Sequence, residues 1–392
     1  MTSNTQELIP LCIPQIQGNE WDYIKDCLDT GWVSSVGSYV QDFENNLARY
    51  VGHDYGVATV NGTAALHIAL MVAGVERGDE VLVSTLTFIS PVNSIRYIGA
   101  HPVFIDSEPN FWQMDSNLAK KFVTQQCETR DGKLYNKVTG RRIAAIVPVH
   151  ILGHPVEMET LLDISKTYDI PIVEDATESL GAKYKGKMVG AIGDISCFSF
   201  NGNKLLTTGG GGMILTSRED WAERAKYLTT QAKDDDLEYI HHNVGYNYRL
   251  TNVQAAMGVA QLEQIETYLA KKKQIATTYE NALGEIDGID GMAESDSAES
   301  AFWLYSIYVN PDKVGKTSRD LLAYLHDNKI QARPLWQPIH ISPSYADYEF
   351  GLVGGDVALD LNANCLSIPC SVGLTDAEQE RVITAIREFA NS

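Results

Sequence analysis

No two cysteines in this chain fall at CxxC spacing; the six, Cys12, Cys27, Cys127, Cys197, Cys365 and Cys370, are scattered. That speaks against a zinc ribbon or a disulfide scaffold and reads as packing thiols in a reducing cytoplasm. Basic residues are also scarce: 31 Lys and Arg against 51 Asp and Glu leave a formal net charge of -20. General binding to nucleic acid or to an anionic membrane depends on basic surface, so neither is expected, and an anionic substrate would need local cations. No apolar run approaches membrane-spanning length, and Met1 to Pro14 lacks the basic start and long apolar core of a secretory signal. There is no internal repeat or low-complexity tract. The pair His241-His242 has no second ligand group at metal spacing and reads as surface histidines, so no metal site is expected. These absences leave a soluble, cytoplasmic protein as the expectation.

What is present is enough for a large core: 392 residues, 44% hydrophobic and 21% charged, which suits one large and one smaller domain. Short apolar runs at Gly56 to Val60, Glu80 to Ser84, Pro102 to Asp106, Ile143 to His150, Pro171 to Glu174, Ile195 to Phe200 and Met213 to Thr216 read as strands. Helix-length segments separate them, which points to an α/β domain with a mostly parallel sheet covered on both faces. From about Thr251 the pattern changes to long helical periodicity through Gln254 to Glu280, with the basic run Lys271-Lys272-Lys273. A strand at Leu304 to Val309 follows. The last helix opens with the capping box Thr375-Asp376-Ala377-Glu378 and places Val382, Ala385, Ile386 and Phe389 on one face. The division drawn from this is a large domain over 1–260, including the N-terminal segment, and a smaller α+β domain over 261–392. Between Cys127 and Arg142 the turn signals Asp131-Gly132 and Thr139-Gly140 predict a polar hairpin, read as a surface excursion rather than a lid.

Three segments can carry chemistry. Cys197-Phe198-Ser199-Phe200-Asn201-Gly202-Asn203-Lys204 puts a hydroxyl and an amine five residues apart, after a β-type run and before a glycine-rich stretch. Such a pair can hold a phosphorylated aldehyde cofactor, the amine as a Schiff base with pyridoxal phosphate (PLP) and the serine on its phosphate. Read alone, the pattern is weak, because most lysines after a strand are solvated surface residues. Asn61-Gly62-Thr63-Ala64-Ala65-Leu66 opens a helix, whose apolar Leu66, Ala69 and Leu70 recur at helical spacing; its first amides can bind phosphate. The same residues also read as an Asn-Gly turn with a Thr cap. Val173-Glu174-Asp175-Ala176-Thr177-Glu178 places acids at a strand's carboxyl end, where open α/β sheets bind ligands. Asp175 could there keep a pyridine nitrogen protonated, or serve only as a helix cap. Phe88, after another strand end, offers a ring to stack on a cofactor or to fill the core.

Taken together these segments resemble the DegT/DnrJ/EryC1/StrS family of PLP-dependent sugar aminotransferases, of fold type I. The resemblance spans nearly the whole chain: Gly31 to Gly37, NGTAAL, TF, VEDATESLGA, GDISCFSFNGNK, GYNYRLTNVQAA and Arg333-Pro334 to His340 occur in the expected order. It implies Lys204 as Schiff-base lysine and general acid/base, Asp175 as partner of the pyridine nitrogen, and Phe88 as the stacking ring. Gly62, Thr63, Ala64 and Ser199 would hold the phosphate, and Asn247 would complete that site from the neighbouring subunit of a homodimer. Glu178 stands where the family more often has Gln or His beside the cofactor hydroxyl, and Gly210 where many members have Glu; Glu178, three residues past Asp175, would share its face if the segment is helical. The implied reaction moves an amino group from L-glutamate to a nucleotide-linked keto-6-deoxy sugar, with a UDP-linked 4-keto sugar favoured, in amino-sugar or surface-glycan biosynthesis. Two alternatives are a sugar dehydratase on the same fold, which carries histidine in place of the lysine, and a noncatalytic regulator, which would lose the lysine or aspartate or gain a DNA-binding segment. Lys204 and Asp175 argue against both.

Overall fold

The computed structural model describes residues 7–235, 237–345 and 351–392. The start of the N-terminal segment, residues 1–6, therefore lies outside the described residues.

Seven strands form the body of the sheet: β1 Tyr55–Thr59, β2 Glu80–Ser84, β3 His101–Ile105, β4 Ile143–Val147, β5 Val173–Asp175, β6 Ile195–Ser199 and β7 Gly212–Thr216. They fall within a residue or two of the predicted runs, except at β4, which stops three residues short of His150. Hydrogen bonding gives the orders β1-β7-β6-β5 and β4-β2-β3, and the parallel bridges Ile146↔Ile172 and Val149↔Asp175 join β5 to β4. Only β7 runs against its neighbours. β2, β4 and β7 are buried at every position, as strands must be when helices cover both faces of the sheet. Leu66, Ala69 and Leu70 of the helix Gly62–Val72 reach no solvent.

The predicted hairpin is present: Cys127–Arg130 pairs antiparallel with Lys133–Asn136, and Asp131 and Gly132 both have positive φ, as a two-residue turn of this hand requires. Asn136 Nδ2 donates to the buried Glu80 carboxylate at 2.9 Å, which ties the excursion to the start of β2.

After residue 250 the single long helix expected over Gln254 to Glu280 is two, Asn252–Leu262 and Ile265–Leu283. The first packs on the helices Glu20–Thr30 and Ser38–Val51, the second on Asp376–Asn391 and the strand Ile289–Gly291. Two partners in different places require two axes, and the chain turns at Glu263-Gln264. An antiparallel sheet in the order Ile289–Gly291, Tyr305–Val309, Cys365–Ile368, Arg333–Pro334 follows. The capping box at Thr375 forms as predicted, with Val382, Ala385, Ile386 and Phe389 buried. Two crossings knit the halves of the chain: Leu352–Val353 adds to the edge of β3, and Ile9 bridges Ile330. Among the described residues no helix is long and apolar enough to cross a membrane.

Candidate active site

The carboxyl ends of β2, β5 and β6 and the start of the helix after β1 surround one cavity of about 400 Å³. Its walls include Gly62, Thr63, Phe88, Asp175, Glu178, Ser199 and Lys204, seven of the residues singled out from the sequence.

Asn61 caps the helix Gly62–Val72, its Oδ1 accepting the Ala64 amide at 2.8 Å; the cap is Asn61, not a threonine. Ala64 is buried and outside the lining, with that amide already engaged. The amides of Gly62 and Thr63, in the first turn, have no intrahelical acceptor by geometry. Gly62 and Thr63 line the same space as Ser199, and the Thr63 hydroxyl pairs with that of Ser90. A Cβ added at Gly62 would stand 2.8 Å from Ser199 Cβ, so only glycine keeps helix start and hydroxyl this close.

Across the cavity the Lys204 ammonium lies 3.3 Å from Glu178 Oε1 and 3.7 Å from the centre of the Trp303 ring. Trp303 is fixed in turn by its indole N–H, which donates to the Asn203 carbonyl at 2.7 Å. Glu178 Oε2 accepts the Leu152 amide at 2.9 Å, and Leu152 holds a positive φ of 61°. Residues 177–178 form a turn rather than a helix, so it is this turn that brings Glu178 toward Lys204. Asp175 accepts the Thr177 amide at 3.1 Å. Burial pushes the carboxyls of Asp175 and Glu178 above their ordinary range, and the Lys204 charge opposes this at both. Phe88 is exposed at the cavity mouth. Gly210 lines the wall, and a Cβ added there would meet Gln254 Nε2 at an ordinary contact distance of 3.7 Å.

Asn247 does not line this cavity; it is exposed, on a short bridge with Thr230. The sequence reading gave no site role to Trp303, Trp336, Ser90, Asn201 or Asn203, all of which line the cavity. His242 sits 3.0 Å from Asp234, and no metal-ligating cluster occurs among the described residues.

A family model described as the DegT/DnrJ/EryC1/StrS aminotransferase family matches residues 14–387. The chain belongs to that family. It is 36% identical over 382 residues to a GDP-perosamine synthase of Escherichia coli O157:H7, covering 97% of this chain and 98% of that protein. A second GDP-perosamine synthase, from Caulobacter vibrioides, is 36% identical over 381 residues and covers 96% and 97%. Among solved structures, an aminotransferase of the DegT DnrJ EryC1 StrS kind from Brucella abortus superposes with a TM-score of 0.86 at 26% identity, over 95% of this chain and 96% of that one. The aminotransferases of this family use PLP.

The residues of this aminotransferase fit that cofactor. The first turn of Gly62–Val72 and the Ser199 hydroxyl form a cradle that a Cβ at position 62 would fill, suited to a phosphate. A buried carboxylate at Asp175 and an amine at Lys204 are present in the same cavity.

Proposed function

We propose that this sugar aminotransferase moves an amino group from L-glutamate to a nucleotide-linked 4-keto-6-deoxy sugar, with a UDP-linked acceptor as the first to test. The observation that carries the reading is one cavity holding Lys204, Asp175, Ser199 and a helix start opened by Gly62. Bound PLP supplies an aldehyde that condenses with amines and a pyridinium ring that withdraws electrons. Lys204 would hold the cofactor through its amine and, when that amine is free, would serve as the general acid/base that moves a proton at the donor carbon. Asp175 would keep the ring nitrogen protonated, and Phe88 would offer the ring that stacks on the cofactor. Ser199 with the amides of Gly62 and Thr63 binds the phosphate. Glu178, beside the Lys204 ammonium, positions that amine between its tasks. The Trp303 ring closes the other side of Lys204.

The same reading makes the active unit a cytoplasmic homodimer, with Asn247 reaching the partner's phosphate site. The exposed position of Asn247, outside its own cavity, supports this. It also divides the chain into a PLP-binding domain over 1–260 and a smaller domain over 261–392. A GDP-linked acceptor is the second reading, favoured by the names of the two perosamine synthases. Single-turnover assays with glutamate and a panel of UDP-, GDP- and dTDP-linked 4-keto sugars decide between them. Turnover confined to UDP sugars supports the first reading, turnover confined to GDP sugars the second, and no amine on any of them refutes both.

A further inference from the structure

Behind the Trp303 wall lies a second reactive cluster that transamination does not use. The segment before Glu20 runs as a strap across the C-terminal sheet. Ile9 bridges Ile330, the Leu11 carbonyl accepts the Cys370 amide at 2.9 Å, and the Ile13 amide donates to Ser371 Oγ at 3.0 Å. This pairing sets Cys12 beside Cys370, each thiol lowering or raising the other's tendency to ionise. Lys272, 2% exposed, directs its ammonium at the carbonyls of Trp303 (2.7 Å) and Cys370 (2.5 Å), and it lies 3.6 Å from Cys370 Sγ. No carboxylate pairs with Lys272 among the described residues. The Cys370 sulfur is the group beside this ammonium that can take a negative charge. The Cys12 thiol and then Lys272 hold Cys370 below the ordinary thiol range, while the same contact and burial push Cys12 above it. One sulfur is thus suited to attack and its neighbour to resolve.

The cluster touches the lysine loop at two points. Cys12 Sγ donates to the Asn203 carbonyl at 3.4 Å, the same oxygen that receives the Trp303 indole N–H, and Cys370 Sγ lies 3.5 Å from the Trp303 carbonyl. Asn203 adjoins Lys204 in the chain, and the Trp303 ring covers its amine.

We propose that Cys12 and Cys370 are a peroxide-reactive dithiol site whose closure to a disulfide disorders the Asn203–Trp303 support of Lys204. The Cys370 thiolate attacks a peroxide oxygen; the O–O bond breaks, water leaves after protonation, and a sulfenic acid remains. The Cys12 sulfur then attacks Cys370 Sγ, the S–O bond breaks, and a second water leaves. Two thiols and one hydrogen peroxide become one disulfide and two waters. Closure removes the Cys12 proton given to Asn203 and the ionisable thiol facing Lys272. The thiol chemistry is independent of substrate, whereas its effect on turnover rests on the reading of Lys204 given above.

The test treats the reduced, PLP-loaded enzyme with hydrogen peroxide, then maps peptides under non-reducing conditions and measures turnover on the same samples. A Cys12–Cys370 linked peptide is expected, with loss of turnover and its recovery in dithiothreitol. Cys12→Ser keeps turnover before oxidation, forms no link, and loses activity to peroxide irreversibly as Cys370 passes to the sulfinic acid. Oxidation of other cysteines with this pair left as thiols overturns the site. A linked peptide with full turnover overturns the coupling to Lys204. If the reduced enzyme aminates no sugar, the linked peptide and its effect on the visible absorbance of the lysine-bound cofactor still decide the thiol proposal, and only the proposed function falls.

Discussion

Glu174 and Asp175 are neighbours on one short strand, both buried and both acidic, yet they belong to different regions. Glu174 points into the packed layer beneath the strand, where its carboxylate accepts the amides of Gly190 (2.9 Å), Ile192 (2.7 Å) and Gly193 (2.5 Å) and meets His150 at 3.2 Å. Burial alone would raise its carboxyl; His150 and these amides more than offset that and hold it below its ordinary range. Asp175 points the other way, into the cavity, where Thr177 is its near partner and burial prevails. A carboxylate whose lone pairs are all taken is part of the wall. One with capacity left over in a cavity is available to a ligand.

Asp175→Asn is the sharpest way to break this contrast. A neutral amide cannot keep a ring nitrogen protonated, so turnover is expected to fall by several orders of magnitude at most, equivalent to a few kcal/mol, while some cofactor is retained. Unchanged single-turnover rates with glutamate would make Asp175 a structural cap.

Glu174→Gln should do the reverse. Its amide nitrogen would face backbone donors and the network would lose its charge, costing about 3 kcal/mol of stability while turnover per folded molecule persists. Thermal melts beside specific activity read the two effects separately. A variant that melts normally but is inactive would place Glu174 in the chemistry.

Gly62→Ala sharpens the comparison at the cavity's phosphate end. The added methyl would meet Ser199 Cβ at 2.8 Å, and a displacement of this kind is expected to weaken cofactor retention by about tenfold. Dialysis against phosphate buffer, followed by cofactor absorbance, measures it. Wild-type retention would remove the helix start from the phosphate site.

The smallest effect concerns assembly. Mixing Lys204→Ala with Asn247→Ala subunits gives heterodimers in which one site carries both lesions and the other neither, so about half of wild-type activity per heterodimer should return. No rescue after verified subunit exchange would return Asn247 to its own subunit or exclude it from the site.

The sequence exposes these regions unequally. The β-strands are visible as apolar runs, and SFNGNK and NGTAAL mark the lysine loop and the helix start because each acts through neighbours in the chain. Alternation along a strand already separates Glu174 from Asp175 onto opposite faces. Trp303 escapes such reading, because it meets Lys204 only after about a hundred intervening residues have folded back. Lys272 was hidden inside the run Lys271 to Lys273, although a signal existed: it falls four residues after Tyr268 and three before Ile275, on the buried face of its helix. The turn at Glu263-Gln264 has no proline or glycine to announce it, since the change of packing partner makes it.

The most direct test of the account is the visible spectrum of the PLP-loaded protein before and after L-glutamate, in the wild type and in Lys204→Ala. The wild type should show the absorbance band of a lysine-bound cofactor, which glutamate bleaches and a keto sugar restores with formation of an amino sugar. Lys204→Ala, folded to the same melting point, should show neither the band nor turnover. A folded Lys204→Ala protein that keeps the band and aminates the sugar at near-normal rate would contradict the account.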